Sequence, residues 1–177
     1  MVARAVFIDR DGVINESMQR DGLPVAPTRL EDFRLLPGVA DALTQLKQAG
    51  FLLVVVTNQP DIATGRASRA VVEAMNDQIM DRLPIDDIRV CAHVNADNCD
   101  CRKPKPGLLL DAAKDHSIEL SQSWMIGDRW RDVGAGQAAG CRTVFIDYDY
   151  PEARPDRPDL VVRSLAEAVP LVISSSM

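Results

Sequence analysis

The run Val6-Phe7-Ile8-Asp9-Arg10-Asp11-Gly12-Val13 limits what this chain can fold into more than any other: an apolar stretch ends in two carboxylates one residue apart, and glycine follows at once. A short continuous apolar run bounded by a turn signal reads as a strand buried on both faces, as in the middle of a parallel sheet. Such sheets carry their ligands beyond the carboxyl ends of the strands. Two acidic side chains crowded there repel each other unless a cation joins them, so the feature implies a metal. An Asp-x-Asp-Gly turn also opens calcium loops, but those need further oxygen ligands downstream and a glutamate near the loop's end. Val13 and Ile14 stand where those ligands would begin, which excludes that reading.

Beyond Ala5 to Ile8, the runs 51–56, 88–94, 124–126 and 143–146 look like strands, with 160–162 a candidate sixth. Helical patterns lie between most of them. Residues 37–46 place their apolar side chains on one face, with Pro37 near the first helical position and Gly50 as the stop. Over 68–83, Ser68 is the expected N-cap and Val71, Val72, Met75, Ile79, Met80 and Leu83 are expected to face inward. Residues 108–116 and 133–140 follow, the latter weakened by Gly134 and Gly136, and 164–173 forms a short terminal helix limited by Pro170. Strands alternating with helices predict an α/β, doubly wound parallel sheet with right-handed crossovers. Residues 15–36 have no clean period and read as a long excursion that shapes a substrate site beside the Asp9–Asp11 turn.

A chain of 177 residues predicts one domain over 1–177, with a frayed end at 174–177. A net charge of −6 and only 5% aromatic residues argue against a nucleic-acid partner. No apolar run approaches the roughly 18 residues of a membrane span, and Met1-Val2-Ala3-Arg4 runs straight into the first strand without a leader. The expectation is a cytoplasmic, monomeric enzyme.

Three more strand ends carry polar chemistry. The second ends in Thr57-Asn58-Gln59, the loop before the third helix is Arg102-Lys103-Pro104-Lys105-Pro106-Gly107, and the fourth strand ends in Gly127-Asp128-Arg129-Trp130-Arg131-Asp132. Each alone reads as a polar turn or a solvated basic loop. Unrelated turns would not supply a carboxylate pair, a hydroxyl, a lysine and a second carboxylate pair in succession. Together they describe one site, in which acids hold a hard cation such as Mg²⁺ while hydroxyl and lysine neutralise a phosphoryl group.

Cys91, His93, Cys99 and Cys101 supply three thiolates and an imidazole within one loop, 91–101, the donor set of a closed tetrahedral zinc site. The loop is too polar to bury a core of its own, so Zn²⁺ would order it and fix Arg102 and Lys103, which follow directly. Cys141 reads as a small buried hydrophobe, and His116 as a cation at a helix C-terminus.

With Asp9-Arg10-Asp11-Gly12, Thr57-Asn58, Lys103-Pro104 and Gly127-Asp128 with Asp132 in this order, the chain resembles the haloacid dehalogenase (HAD) superfamily of phosphatases. The resemblance implies a sheet ordered 5-4-1-2-3 with Asp9 on the middle strand and no large cap domain. It implies that Asp9 is the nucleophile, that Asp11 is the acid and then the base, and that Thr57 and Lys103 hold the phosphoryl oxygens. Mg²⁺ would sit on Asp9, Asp128 and the Asp11 carbonyl, supported by Asp132. Within the superfamily, the Cys-x-His…Cys-x-Cys-Arg-Lys-Pro arrangement is similar to that of the heptose bisphosphate phosphatases and the related histidinol-phosphate phosphatases. That likeness implies a small phosphorylated sugar as substrate, D-glycero-D-manno-heptose 1,7-bisphosphate losing its C7 phosphate, with Asn58 and Arg102 binding substrate. Pro60-Asp61 replaces the family's Ser-Gly, Thr64 replaces a basic residue, and the loop between His93 and Cys99 is short. A receiver-type signalling domain is also doubly wound and binds Mg²⁺, but its phosphoacceptor lies on a later strand, where this chain offers no aspartate.

Overall fold

The computed structural model describes residues 2–176. Six strands form one parallel sheet: β1 (Ala5–Ile8), β4 (Leu52–Asn58), β5 (Asp87–Cys91), β6 (Trp124–Gly127), β7 (Arg142–Ile146) and β8 (Leu160–Val162). Their order is β5-β4-β1-β6-β7-β8, which is the expected arrangement with the sixth strand added at the outer edge beside β7. Strand β1 lies between β4 and β6 with Ile8 level with Val55 and Ile126, so the chain leaves all three strands at the same edge. No described helix is long and apolar enough to cross a membrane.

Side chains alternate across this sheet because successive strand residues point to opposite faces. Val6 and Ile8 join a core with α1 (Val39–Gln48), α2 (Arg69–Arg82) and α5 (Leu165–Ser174), while Ala5 and Phe7 face α3 (Gly107–His116) and α4 (Trp130–Ala139). The result is three layers with helices on both faces of the sheet. Gly136, which weakened the sequence signal for α4, is required by this layering: a Cβ there would lie 2.6 Å from the Met125 Cβ and 2.8 Å from the Thr143 Cγ2.

Several boundaries differ from expectation for local reasons. Strand β4 continues to Asn58, while β5 stops at Cys91 because 92–94 turn away into the Cys-His loop. Helix α1 begins at Val39 behind a Gly38 cap, so Pro37 precedes it. Ser68 does cap α2, accepting from the Val71 N–H at 3.2 Å, but Met80 is exposed. Helix α4 starts earlier than 133, at Trp130, because the Asp132 carboxylate caps the Arg129 N–H at 3.0 Å. Helix α5 runs through Pro170 to Ser174, held by buried Leu165, Ala168, Val169 and Val172. The end beyond it, expected to be loose, is tied at Ser176 by Arg4 and Trp124, at 2.7 and 3.0 Å; Met177 lies outside the described residues. The aperiodic stretch 15–36 contains an antiparallel hairpin, β2 (Met18–Arg20) and β3 (Leu23–Val25).

Candidate active site

The residues after β1, β4 and β6 meet with the loop before α3 at one sheet edge. Lys103 is the hub: its Nζ lies 2.7 Å from Asp9 Oδ1, 2.7 Å from Asp132 Oδ1 and 2.7 Å from the Val56 carbonyl, and it is 2% exposed. Burial works against its charge, but Asp132 and Asp9 outweigh that and hold it above the ordinary lysine value. Asn58 fixes the lysine's backbone, accepting from the Lys103 N–H and donating to the Lys103 carbonyl, both at 3.1 Å.

Asp9, Asp128 and Asp132 are all buried and offer carboxylate oxygens within 4.8 Å of one another. One lysine cannot neutralise three such acids. Burial and the Asp132 charge push Asp9 up to about 7 despite the pull of Lys103, and burial with the Asp9 and Asp132 charges raises Asp128 as well. The deficit has a direction. Asp128 Oδ1 is buried with no hydrogen-bond partner among the described residues, while Oδ2 accepts from the Tyr150 hydroxyl at 3.0 Å. An unpartnered buried acceptor beside a second carboxylate fits a hard, oxygen-preferring divalent cation. Gly12 makes room for this acid: its φ is +88°, and a Cβ would lie 2.1 Å from Asp128 Oδ2.

Asp11 points elsewhere. Its Oδ1 accepts from Arg10 at 3.0 Å and from Asn15 at 2.9 Å, and its Oδ2 accepts from Gln59 Nε2 at 2.7 Å. Arg10 is fully buried and also donates to Asn76 of α2 at 3.0 Å. Gln59 reaches Thr57 Oγ1 at 2.9 Å as well, so one amide links the expected acid to the expected phosphoryl-binding hydroxyl. Asp9, Asp11, Asn58, Lys103, Asp128, Asp132 and Arg102 all border a pocket of about 570 Å³, whereas Thr57 is fully buried behind it.

Sequence reasoning passed over four contributors. Arg10 reads as a spacer between two acids, and Gln59 as part of a polar turn. Tyr148 and Tyr150 fall in a segment without periodicity, yet Tyr148 donates to the Gly12 carbonyl at 2.9 Å while Tyr150 holds Asp128. The placing of these tyrosines just after β7, at the same edge as the other strand ends, is the signal that could have found them.

Cys91, His93, Cys99 and Cys101 converge beside the pocket. Cys91 Sγ lies 3.5 Å from His93 Nδ1 and 3.7 Å from Cys99 Sγ, Cys101 Sγ lies 3.3 Å from the same imidazole nitrogen, and the two latter thiols are 3.5 Å apart. Ligands about 2.3 Å from a tetrahedral centre stand about 3.7 Å from each other, so the donors have the right spacing for one ion. Burial and the two neighbouring thiols push Cys101 up to about 12, and a cation would relieve that cost. The loop borders the pocket directly at Val94, Asn95 and Ala96, and it supports Arg102, whose Nε donates to Asn95 Oδ1 at 2.7 Å and whose Nη1 donates to the His93 carbonyl at 3.1 Å. Cys141 is buried as expected, and His116, at the end of α3, pairs with Asp87 at 2.7 Å.

Comparison with known proteins agrees with this geometry. Residues 100–168 match the family model described as HAD-hydrolase-like. The chain is 35% identical over 187 residues to the D-glycero-beta-D-manno-heptose-1,7-bisphosphate 7-phosphatase of Haemophilus ducreyi, covering 97% of this chain and 100% of that enzyme. It is 40% identical over 148 residues to the enzyme of the same name from Rhodopseudomonas palustris, covering 77% and 79%. The crystal structure of D,D-heptose 1,7-bisphosphate phosphatase from B. bronchiseptica, complexed with magnesium and phosphate, is similar with a TM-score of 0.79 at 27% identity, covering 97% of this chain and 99% of that one. A likeness that runs nearly end to end in both partners leaves no part of the fold to a different lineage, and the chain belongs to the heptose bisphosphate phosphatase family of HAD-like hydrolases.

Proposed function

We propose that this protein is a Mg²⁺-dependent phosphomonoesterase that removes the C7 phosphate of D-glycero-D-manno-heptose 1,7-bisphosphate through an aspartyl-phosphate on Asp9. The observation that carries the reading is the buried Asp9–Lys103–Asp132 chain beside Asp128, whose Oδ1 lacks a partner. Asp9 borders the pocket at the end of β1 and attacks phosphorus there. Lys103, held by Asn58, favours the ionised form of Asp9 against burial and the Asp132 charge, and offers charge to the phosphoryl oxygens. Thr57, accepting from Gln59, keeps its own hydroxyl hydrogen for the same group.

As the bond from phosphorus to O7 breaks, Asp11 donates a proton to the departing alcohol. It then takes a proton from the water that attacks the aspartyl-phosphate, releasing phosphate and restoring Asp9. Arg10, Asn15 and Gln59 supply the hydrogen bonds that hold Asp11 for both duties. Asp9, Asp128 and the Asp11 carbonyl would hold Mg²⁺, with Asp132 as support, and the bound ion would reduce the repulsion between Asp9 and the incoming dianion. Cys91, His93, Cys99 and Cys101 would hold a structural Zn²⁺ that fixes Asn95 and the His93 carbonyl, and through them Arg102. All four cysteines are free, in keeping with a reducing, cytoplasmic setting.

The substrate assignment is tested by comparing kcat/KM for both anomers of heptose 1,7-bisphosphate with histidinol phosphate and fructose 1,6-bisphosphate. One heptose anomer should lead by at least about tenfold. A lead for histidinol phosphate would overturn the assignment.

A further inference from the structure

The hairpin β2–β3 forms one wall of the pocket, through Arg20, Leu23, Pro24, Val25 and the Ala26 that follows. Asp21 and Gly22, with φ of +53° and +78°, make the two-residue turn between the paired Arg20 and Leu23, a turn whose twist matches that of its strands. Yet the hairpin is a two-stranded sheet of its own. Strand β2 buries none of its three residues, β3 buries only Pro24, and Met18 and Leu23 are exposed. Two strands with so little apolar burial are marginal by themselves, so polar ties set where this wall stands.

Each strand has such a tie. On β2, Arg20 meets Asp61 with both ends of its fork, Nη1 to Oδ1 at 3.3 Å and Nη2 to Oδ2 at 3.4 Å, and Arg66 Nη1 lies 3.7 Å from the same Oδ1. On β3, the Pro24 carbonyl accepts from Arg129 Nη1 at 3.1 Å, and Arg129 is itself paired with Glu152. Both ties run to loops that carry reacting residues. Asp61 stands two residues after Gln59, which reaches Asp11 and Thr57, and Arg129 directly follows Asp128.

Asp61 is the firmer post. Its carboxylate is 8% exposed against 34% for Arg20, and an ion pair shielded from water keeps strength that an exposed one loses. Its backbone is fixed by its own turn, the Asp61 carbonyl accepting from the Ala67 N–H at 3.1 Å and from Thr64 Oγ1 at 3.4 Å. A bare carboxylate on this wall would repel a phosphorylated substrate, but Arg20 and Arg66 neutralise it. Because the Arg20 fork is committed to Asp61, the wall offers a substrate chiefly Leu23, Pro24, Val25 and Ala26. Such a surface suits the C–H face of a sugar rather than a phosphoryl group.

We propose that Asp61 is a positioning residue: through Arg20 it holds hairpin β2–β3 against the pocket, and so sets the preference for phosphorylated sugars over small phosphate esters that reach only Asp9. This rests on the phosphatase reading above.

The test pairs hydrogen exchange with steady-state kinetics on the full chain. Asp61→Asn keeps the shape and removes the charge. Exchange of the amides of 18–25, read by mass spectrometry, should speed up by about tenfold. KM for heptose 1,7-bisphosphate should rise by about tenfold with kcat within about threefold, whereas kcat/KM for acetyl phosphate should stay within about twofold. Arg20→Ala should give the same pattern, and adding Asp61→Asn to it should change KM by less than about twofold, because both substitutions remove one tie. Arg20→Lys, which keeps the charge without the fork, should recover part of the loss. Unchanged exchange, an unchanged KM, equal losses on both substrates or additive effects of the two substitutions would overturn the proposal. Turnover of neither substrate by the native protein would sink the phosphatase reading and the preference built on it, and the exchange rates would still decide whether Asp61 holds the hairpin.

Discussion

Tyr150 donates its hydroxyl hydrogen to Asp128 Oδ2 across 3.0 Å, leaving Asp128 Oδ1 as the oxygen without a partner. A carboxylate fixed through one oxygen presents the other in a single direction, which is how groups behind a metal ligand tune affinity. Tyr150→Phe removes the donor and keeps the ring, which packs beside Tyr148 at 5.6 Å. The dissociation constant for Mg²⁺, measured by calorimetry, should rise by about tenfold, with stability changed by only about 1 kcal/mol. An unchanged constant would show that Tyr150 does not orient Asp128.

Gly12 closes the same corner. Alanine there would need φ near +88° and would place its Cβ 2.1 Å from Asp128 Oδ2. Either the backbone or the acid must move, and strain of this kind costs on the order of 1–3 kcal/mol before the displaced acid is counted. Denaturant unfolding of Gly12→Ala should show at least about 2 kcal/mol of lost stability, together with weaker Mg²⁺ binding. A loss under about 0.5 kcal/mol with unchanged Mg²⁺ affinity would count against the packing described.

The Cys-His loop should act on substrate through Arg102. Purified protein should contain about one equivalent of zinc, and Cys99→Ser should lower that content. Because Asn95 and the His93 carbonyl hold the Arg102 side chain, zinc loss should raise KM for a bisphosphate by about tenfold, a larger change than the fall in kcat. Less than about half an equivalent of metal, with no loss of order in Cys99→Ser, would remove the zinc assignment.

The sheet was legible because buried parallel strands are written as apolar runs rich in β-branched residues, as in Leu53-Val54-Val55-Val56, and because the chemistry follows them directly. The hairpin β2–β3 was not, since three-residue strands with exposed Met18 and Leu23 and with Pro24 in one of them leave no period to read. The site divided in the same way. Asp9, Lys103 and Asp128 announce themselves by residue type at a strand end, whereas Arg10 and Gln59 act through long side chains whose direction depends on α2 and β4. Tyr150 needed a crossing of the sheet edge from the segment after β7, a contact that no local pattern encodes.

Asp9 as nucleophile is the claim on which the rest depends. Phosphate release from heptose 1,7-bisphosphate, measured with and without Mg²⁺ for the native protein and for Asp9→Asn, tests it directly, with circular dichroism and thermal unfolding as the check on folding. The account predicts Mg²⁺-dependent release by the native protein and a loss of at least about 10³-fold in a folded Asp9→Asn protein. Turnover by Asp9→Asn within about twofold of the native rate, well below the loss expected for a nucleophile, would contradict it.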